Sequence, residues 1–304
     1  MSESNQAQID LWNGRVGEKW AAMQVSLDVM LSHCTAELKE RAGSVSGLRV
    51  LDIGCGTGET CTIWLDGGAE VTGVDVSAPM LAVASERTDG RATLVQADAS
   101  VWSGDAPFDL VVSQFGLMFF ANPDVAFATI AANVRPGGRL LFSCWRPAAD
   151  NEWVSTPMAA IRDLLPEAPL PVPHAPGPFA LADPDRLGEI LERAGFADVA
   201  IKPFDFPACL ASDGGVEAAA RFAMMIGPSG SALAEASKEA RTLAAERLTA
   251  ALAPHDRDGL VTLGGAIWVV EAVRPARGLQ SWLPVYLTVP QVVAKAKYTC
   301  PGLR

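Results

Sequence analysis

Val50-Leu51-Asp52-Ile53-Gly54-Cys55-Gly56-Thr57-Gly58-Glu59 decides how the rest of this chain reads. Leu48–Ile53 is a short apolar run that carries one acid and stops at glycine, the pattern of a parallel strand buried on both faces. Glycine at alternate positions supplies left-handed backbone, or lets a ligand press against the main chain. A turn that opens a helix also presents free N–H groups. The spacing separates this turn from its rivals. A dinucleotide fingerprint wants G-x-G-x-x-G/A, and position 59 is Glu. A phosphate cradle wants a lysine and a Ser/Thr after its glycines, and this turn holds no cation. Asp52 just before it opposes a pyrophosphate. The turn suits a ligand with an amino group and little negative charge.

Downstream, strand and helix patterns alternate. Glu59–Asp66 reads as a helix, Glu70–Asp75 as a second strand, Pro79–Arg87 as a helix and Thr93–Gln96 as a third strand. Phe108–Ser113 is a fourth strand, Val125–Val134 a helix, and Arg139–Trp145 a fifth strand after Pro136-Gly137-Gly138. Short glycine-marked turns between such elements mean a parallel sheet covered on both faces. Upstream, residues 5–42 space their apolar positions as a helix does. Residues 147–184 are proline-rich and read as an extended connection, with one short helix around Pro157–Leu165. Asp183-Pro184 is a cap and first-turn proline opening a helix that Gly195 closes. Phe196–Phe206 is another strand, 214–253 reads as helices broken near Gly227-Pro228, and Gly265–Val273 is a last strand. The helices between these two strands suggest a cap over one edge of the sheet.

Two further acids fall at strand ends. Asp75 closes the second strand 21 residues after Gly54, where a carboxylate accepts from ribose hydroxyls. Asp98, in Gln96-Ala97-Asp98-Ala99 after the third strand, can accept from an exocyclic amine. Singly each is an ordinary turn residue. Together with Asp52, around one glycine turn, they read as a site.

The 304 residues carry 24 Lys+Arg against 35 Asp+Glu, a net charge of −11, with 49% hydrophobic residues. That is enough for one large α/β domain with a cap. So acidic a surface repels phosphate backbones and anionic lipid, which excludes nucleic acid and membrane as expected partners. The first residues carry no signal-like apolar core, no run is long enough to span a bilayer, and the six cysteines form no CxxC pair. A cytoplasmic protein with reduced thiols is expected, with no metal site. Residues 275–304 stand apart, with four basic residues, no acid and both tyrosines, which leaves the rest at −15. They read as a loosely attached tail, or as an arm over 282–293 that docks on a second copy in a homodimer.

The sequence at this point resembles the class I S-adenosylmethionine-dependent methyltransferases, in their small-molecule, ubiquinone-biosynthesis-like branch. The residues that carry the resemblance are Asp52 with Gly54, Gly56 and Gly58, then Asp75, the Gln96–Ala99 turn, Phe108–Val112 and Pro136-Gly137-Gly138. They cover about residues 45–145, and more loosely 9–30 and 183–273. The resemblance implies a Rossmann-like, seven-stranded, mostly parallel α/β sheet with helices on both faces and a helical cap. It divides the chain into an N-terminal helical segment (1–44), a methyltransferase domain (45–274, with cap elements about 147–182 and 207–262) and the basic tail (275–304). It implies S-adenosyl-L-methionine as cofactor and S-adenosyl-L-homocysteine as product. Residue by residue, Gly54, Cys55, Gly56 and Gly58 would approach the methionine part and ribose, with Asp52 near the amino group. Asp75 would hold the ribose hydroxyls, Val76 and Met80 would pack on adenine, Asp98 and Ala99 would meet its edge, and Gln114 would line the methionyl end. Trp12 or Trp20 would cover the cofactor.

Methyl transfer asks for in-line alignment and the exclusion of water. A base is needed only if the acceptor must lose a proton. No side chain stands out as catalytic. Of His33, His174 and His255, the last, at the end of a cap helix, is the one to test. Phe115, Met118, Phe119 and Phe120 after strand four, Trp145 at the end of strand five and Trp153 beyond it would form an aromatic mouth, with Trp20 from the N-terminal helix. Such a mouth suits a small apolar or aromatic acceptor, or an amine held by cation–π attraction. Two readings stay open beside methyl transfer: an NAD(P)-dependent oxidoreductase, and a regulatory protein that binds the cofactor without using it. A metalloid acceptor would need thiolates, and Cys61, Cys144 and Cys209 have no spacing that makes a site.

Overall fold

The computed structural model describes residues 5–165 and 172–276. The expected tail and homodimer arm, from residue 277 on, lie outside the described residues, and so does Cys300.

Among the described residues eight strands form one sheet. β1 (Arg49–Ile53), β2 (Glu70–Asp75), β3 (Thr93–Gln96), β4 (Phe108–Gln114) and β5 (Val134–Trp145) run parallel in the order β3-β2-β1-β4-β5. Beyond β5 the order continues through β8 (Leu260–Val273) to β6 (Ala197–Ala211), with β8 antiparallel to both neighbours. The two-residue β7 (Asp256–Arg257) pairs with β8. The middles of the central strands are mostly apolar because helices cover both faces: Val50, Leu51, Leu110, Val111 and Leu140 are fully buried. β6 and β8 run longer than their apolar cores indicate, since pairing continues from Phe206↔Gly265 to Ala211↔Val261. Pro203 and Pro207 sit in β6 because it is an edge strand.

The helices follow their local signals with instructive exceptions. The segment expected as helical over 5–42 is three helices, α1 (Gln6–Asn13), α2 (Arg15–Ala22) and α3 (Gln24–Ala42). Gly14 adopts extended backbone (φ −95°, ψ −151°) and breaks the first from the second. α4 (Glu59–Asp66) and α5 (Ala78–Thr88) fall where expected. α6 (Pro123–Asn133) starts two residues early because Asn122 caps it, its side chain accepting from Val125 N–H at 3.2 Å. α8 (Pro184–Arg193) is capped by Asp183, which accepts from the N–H groups of Asp185 and Arg186.

α7 is a correction: it spans Glu152–Ile161, with Pro157 inside it, where Pro157–Leu165 was expected. Its start is set by Asn151, fully buried, which makes five hydrogen bonds. Nδ2 donates to the carbonyls of Arg146, Pro147 and Ala266, while Oδ1 accepts from Ala266 N–H and Trp153 Nε1–H. One side chain thus fastens the β5–α7 turn to β8. Between β6 and β8 lie α9 (Gly215–Ala223), α10 (Gly227–Ala232) and α11 (Lys238–Leu252), broken at Gly227-Pro228.

Candidate functional site

Parallel strands place their carboxyl ends on one side of the sheet, the side where α/β ligands bind. There the ends of β1, β2 and β4 and the turn after β3 surround a cavity. The floor is main chain. Gly54, Gly56 and Gly58 hold φ of +67°, +54° and +83°, values that favour glycine. Gly54 packs on Gly116, after β4, so closely that a Cβ on it would lie 2.7 Å from Gly116 Cα. Cβ atoms on Gly56 and Gly58 would instead meet Met80 and Ala84 of α5.

One end of the cavity is acidic. Asp75 is buried and lines the wall; its Oδ2 accepts from Gly56 N–H and its Oδ1 from Ser77 N–H, each at 2.8 Å. Burial raises its pKa, and those backbone donors pull it back. A carboxylate offers about four lone-pair sites, so Asp75 retains acceptor capacity for a ligand hydroxyl. Asp98 lines the same end, its Oδ1 accepting from Ser100 N–H at 2.9 Å and from Asn5 Nδ2–H at 3.3 Å. Val76, Met80 and Ala99 complete this end, and Gln114 faces the middle, held by Thr35 Oγ1–H at 3.0 Å.

The other end is aromatic. Phe115 has φ +63°, a strained value for a bulky side chain, and its ring stacks on Trp145 at 4.4 Å between centroids. Trp145 meets Trp153 at 4.9 Å and Phe206 at 6.1 Å. Trp12 bridges edge-on to Trp20 (5.5 Å) and Phe119 (5.1 Å), and these three line the cavity from above. Ile226, Gly227 and Pro228 close the mouth from the α9–α10 turn.

Several expected site residues stand elsewhere. Asp52 is fully buried but does not line the cavity. Its Oδ2 accepts from Thr60 Oγ1–H at 2.5 Å and from Cys61 Sγ–H at 3.5 Å, so it braces the start of α4 from beneath the turn. Burial pushes its carboxyl up to about 7. Side chains alternate along β1, so Ile53 takes the cavity wall and Asp52 the opposite side. Cys55 also lies below the turn, where a hydrogen bond with Cys61 and burial hold its thiol well above the ordinary range. Gly56 and Gly58 shape the turn without reaching the wall. His255 is a correction: it ends the turn after α11, beside β7, and does not line the cavity, because the face that α11 buries is Ala244, Leu248 and Leu252. His33 and His174 are exposed. Glu59, where a dinucleotide turn has glycine, pairs with Arg87, which also holds Asp28 at 2.9 Å.

The structure adds residues that sequence reasoning missed. Asn5 and Gln8 bring α1 onto the acidic end, and Gln8 Oε1 is buried there with no donor among the described residues. Leu27, Met30 and Leu31 of α3 form part of the wall. Gly116 was findable, as a glycine two residues past the end of β4. The placement of α1 had no local signal. It depends on Gly17, whose missing side chain lets α2 press on Ser77 and Trp12, and on Asn13, which donates to Val76 carbonyl at 2.7 Å and accepts from Ala78 N–H at 3.0 Å. Among the described residues no cluster of His, Cys, Asp and Glu is arranged to hold a metal ion, and no helix is long and apolar enough to cross a membrane.

Residues 51–142 match a family model described as "Methyltransferase domain". A ubiquinone biosynthesis O-methyltransferase from Maricaulis maris is 35% identical over 100 residues, 31% of this chain and 39% of that protein. A malonyl-[acyl-carrier protein] O-methyltransferase from Enterobacter lignolyticus is 41% identical over 96 residues, 31% of this chain and 38% of that one. The chain thus spans about two fifths of the length of these curated relatives. Among solved structures, magnesium protoporphyrin IX methyltransferase from Synechocystis PCC 6803, with SAH bound, superposes with a TM-score of 0.51 at 16% identity, covering 89% of this chain and 99% of that one. That likeness shows a shared Rossmann-like fold.

Proposed function

We propose that this chain, whose residues 51–142 match a methyltransferase-domain model, moves a methyl group from S-adenosyl-L-methionine to a small apolar or aromatic molecule. The observation that carries the reading is one cavity with two unlike ends, carboxylates above a cation-free glycine turn and a nest of indole and phenyl rings. The first end fits a sulfonium nucleoside. Asp75 would take the ribose hydroxyls on its remaining acceptor capacity, Val76 and Met80 would pack on adenine, and Asp98 with Ala99 would meet the adenine edge. Gln8 Oε1, buried without a donor among the described residues, has room in this scheme for a hydrogen from the ligand. The backbone around Gly54 and Gly116 would carry the methionyl part beside Gln114, and Trp12 and Trp20 would close over it. Asp52 keeps its place beneath the turn and acts through the position of α4.

When bound, the cofactor supplies an activated methyl group on a good leaving group. The chain's task is to orient the acceptor opposite the carbon–sulfur bond and to keep water out. Phe115, Phe119, Trp145 and Trp153 do both by filling the acceptor end with rings. We place this reaction in the cytoplasm. Support for the function comes from the matched domain and from the O-methyltransferase relatives, whose acceptors belong to those proteins.

Calorimetric titration with S-adenosyl-L-homocysteine tests the reading. Wild type should bind, and Gly56→Val, which drives a branched side chain into Met80, should bind at least ~10-fold more weakly. Absence of binding by wild type, or preference for a nicotinamide dinucleotide, overturns it.

A further inference from the structure

Charge and shape inside the acceptor end narrow the substrate further. We infer that the acceptor is a neutral, ring-bearing amine whose nitrogen already offers its lone pair, and that the product is a cation held by the aromatic walls. The inference rests on the methyl-transfer reading of the same cavity and names its substrate class.

Three features carry it. Among the described residues that line the cavity, the titratable side chains are Asp75 and Asp98, both at the nucleoside end. Both stand at the nucleoside end, where the ribose and adenine would occupy them, so neither is placed to take a proton from an acceptor at the far end. An alcohol or phenol acceptor, which must lose its proton, finds no base there among the described residues.

Among the described lining residues no Lys, Arg or His offers charge to a phenolate, thiolate or carboxylate either. Burying such an anion in an apolar pocket that already holds two carboxylates is unfavourable. A nucleophile that enters neutral and leaves positive meets the opposite field. Both carboxylates favour positive charge, and the rings of Trp145, Trp153 and Phe115, packed at 4.4 and 4.9 Å, attract a cation through their π systems.

The step balances without any proton acceptor when the nitrogen is fully substituted. The nitrogen lone pair forms a bond to the methyl carbon, and the carbon–sulfur bond breaks. Its electron pair stays on sulfur, which becomes a neutral thioether, and the positive charge passes to nitrogen. Walls that bind the cation also favour the transition state, in which that charge is developing on nitrogen.

The full-length protein, loaded with S-adenosyl-L-methionine, should be offered isoquinoline and N,N-dimethylaniline as neutral nitrogen probes. 2-Naphthol and thiophenol serve as oxygen and sulfur probes of similar size. S-Adenosyl-L-homocysteine release and the mass of the methylated product are followed from pH 6 to 9. The nitrogen probes should turn over at least ~10-fold faster than the others, with a pH profile that follows only the probe's own protonation. Trp145→Leu should raise KM for the nitrogen probe about 10-fold and Trp145→Phe much less, with S-adenosyl-L-homocysteine affinity unchanged in both. The wild-type panel decides even if the leucine variant does not fold. Faster methylation of 2-naphthol or thiophenol overturns the amine assignment. So does homocysteine-nucleoside binding with no turnover of either nitrogen probe. Failure to bind that nucleoside at all instead overturns the methyl-transfer reading beneath it.

Discussion

Gly54 and Gly116 touch backbone to backbone: a Cβ on Gly54 would lie 2.7 Å from Gly116 Cα, and one on Gly116 would lie 2.6 Å from Ile53 carbonyl and 2.9 Å from Gly54 Cα. The turn after β1 and the turn after β4 are therefore one surface, and that surface is the cavity floor. Gly116→Ala should separate them. We expect a loss of about 1–3 kcal/mol in unfolding free energy from the forced shift. S-Adenosyl-L-homocysteine affinity should fall at least ~10-fold, checked by urea titration and calorimetry.

Gly17 sets two effects against each other. Glycine within a helix costs about 1 kcal/mol relative to alanine, so Gly17→Ala should stabilise α2 in isolation. In place, however, the new Cβ would lie 1.9 Å from Trp12 carbonyl and 2.5 Å from Ser77 Oγ. Backbone oxygen cannot yield as a side chain does, so the clash wins. We expect α1 and its Trp12 to lift from the cavity, seen as faster dissociation of S-adenosyl-L-homocysteine and faster amide exchange over 6–22.

Asp52 predicts the pH dependence. Its folded-state carboxyl is pushed up to about 7 from 3.8 by burial, so the fold prefers it protonated. The sign follows from linkage: the contribution is complete below pH ~4, and is lost as pH rises through the folded value. Burial raises Asp28, to about 6, and Asp75 as well, and both add in the same direction. Asp52→Asn keeps an acceptor for Thr60 and removes the titration. The midpoint of thermal unfolding should therefore fall less from pH 5 to pH 8 in the variant than in wild type. Equal slopes would refute this.

Asn151→Ala removes five hydrogen bonds and leaves buried partners at Ala266 and Trp153 unmatched. Unpaired buried groups cost roughly 1–3 kcal/mol each, partly relieved by relaxation. We expect about 3 kcal/mol of destabilisation by urea unfolding, and a change in Trp fluorescence as Trp153 loosens against Trp145.

The parallel half of the sheet was legible because short β-branched and apolar stretches alternate with helix patterns, and the first of them stops at a glycine turn. Asp75 and Asp98 were legible for the same reason: a strand's carboxyl end fixes where the next residue stands. Asp52 was legible as a strand-end acid but not as a residue facing away from the cavity. The phase of alternation along a five-residue strand is set by what packs on each face, and apolar residues occupy both. The packing of the helices within residues 5–42 turns on the contact of Gly17 with Ser77, sixty residues away, which no local pattern records. His255 misled because a helix pattern does not say which face a cap turns to the sheet. The start of α7 at Asn151 depends on Ala266, more than a hundred residues on.

A crystal structure grown with S-adenosyl-L-homocysteine would weigh most on all of this. It should show ribose oxygens on Asp75, adenine between Val76 and Met80, and the sulfur aimed at the Phe115–Trp145 pair. A nucleoside seated outside this cavity, or a diphosphate lying along Gly54–Gly58, would contradict the account.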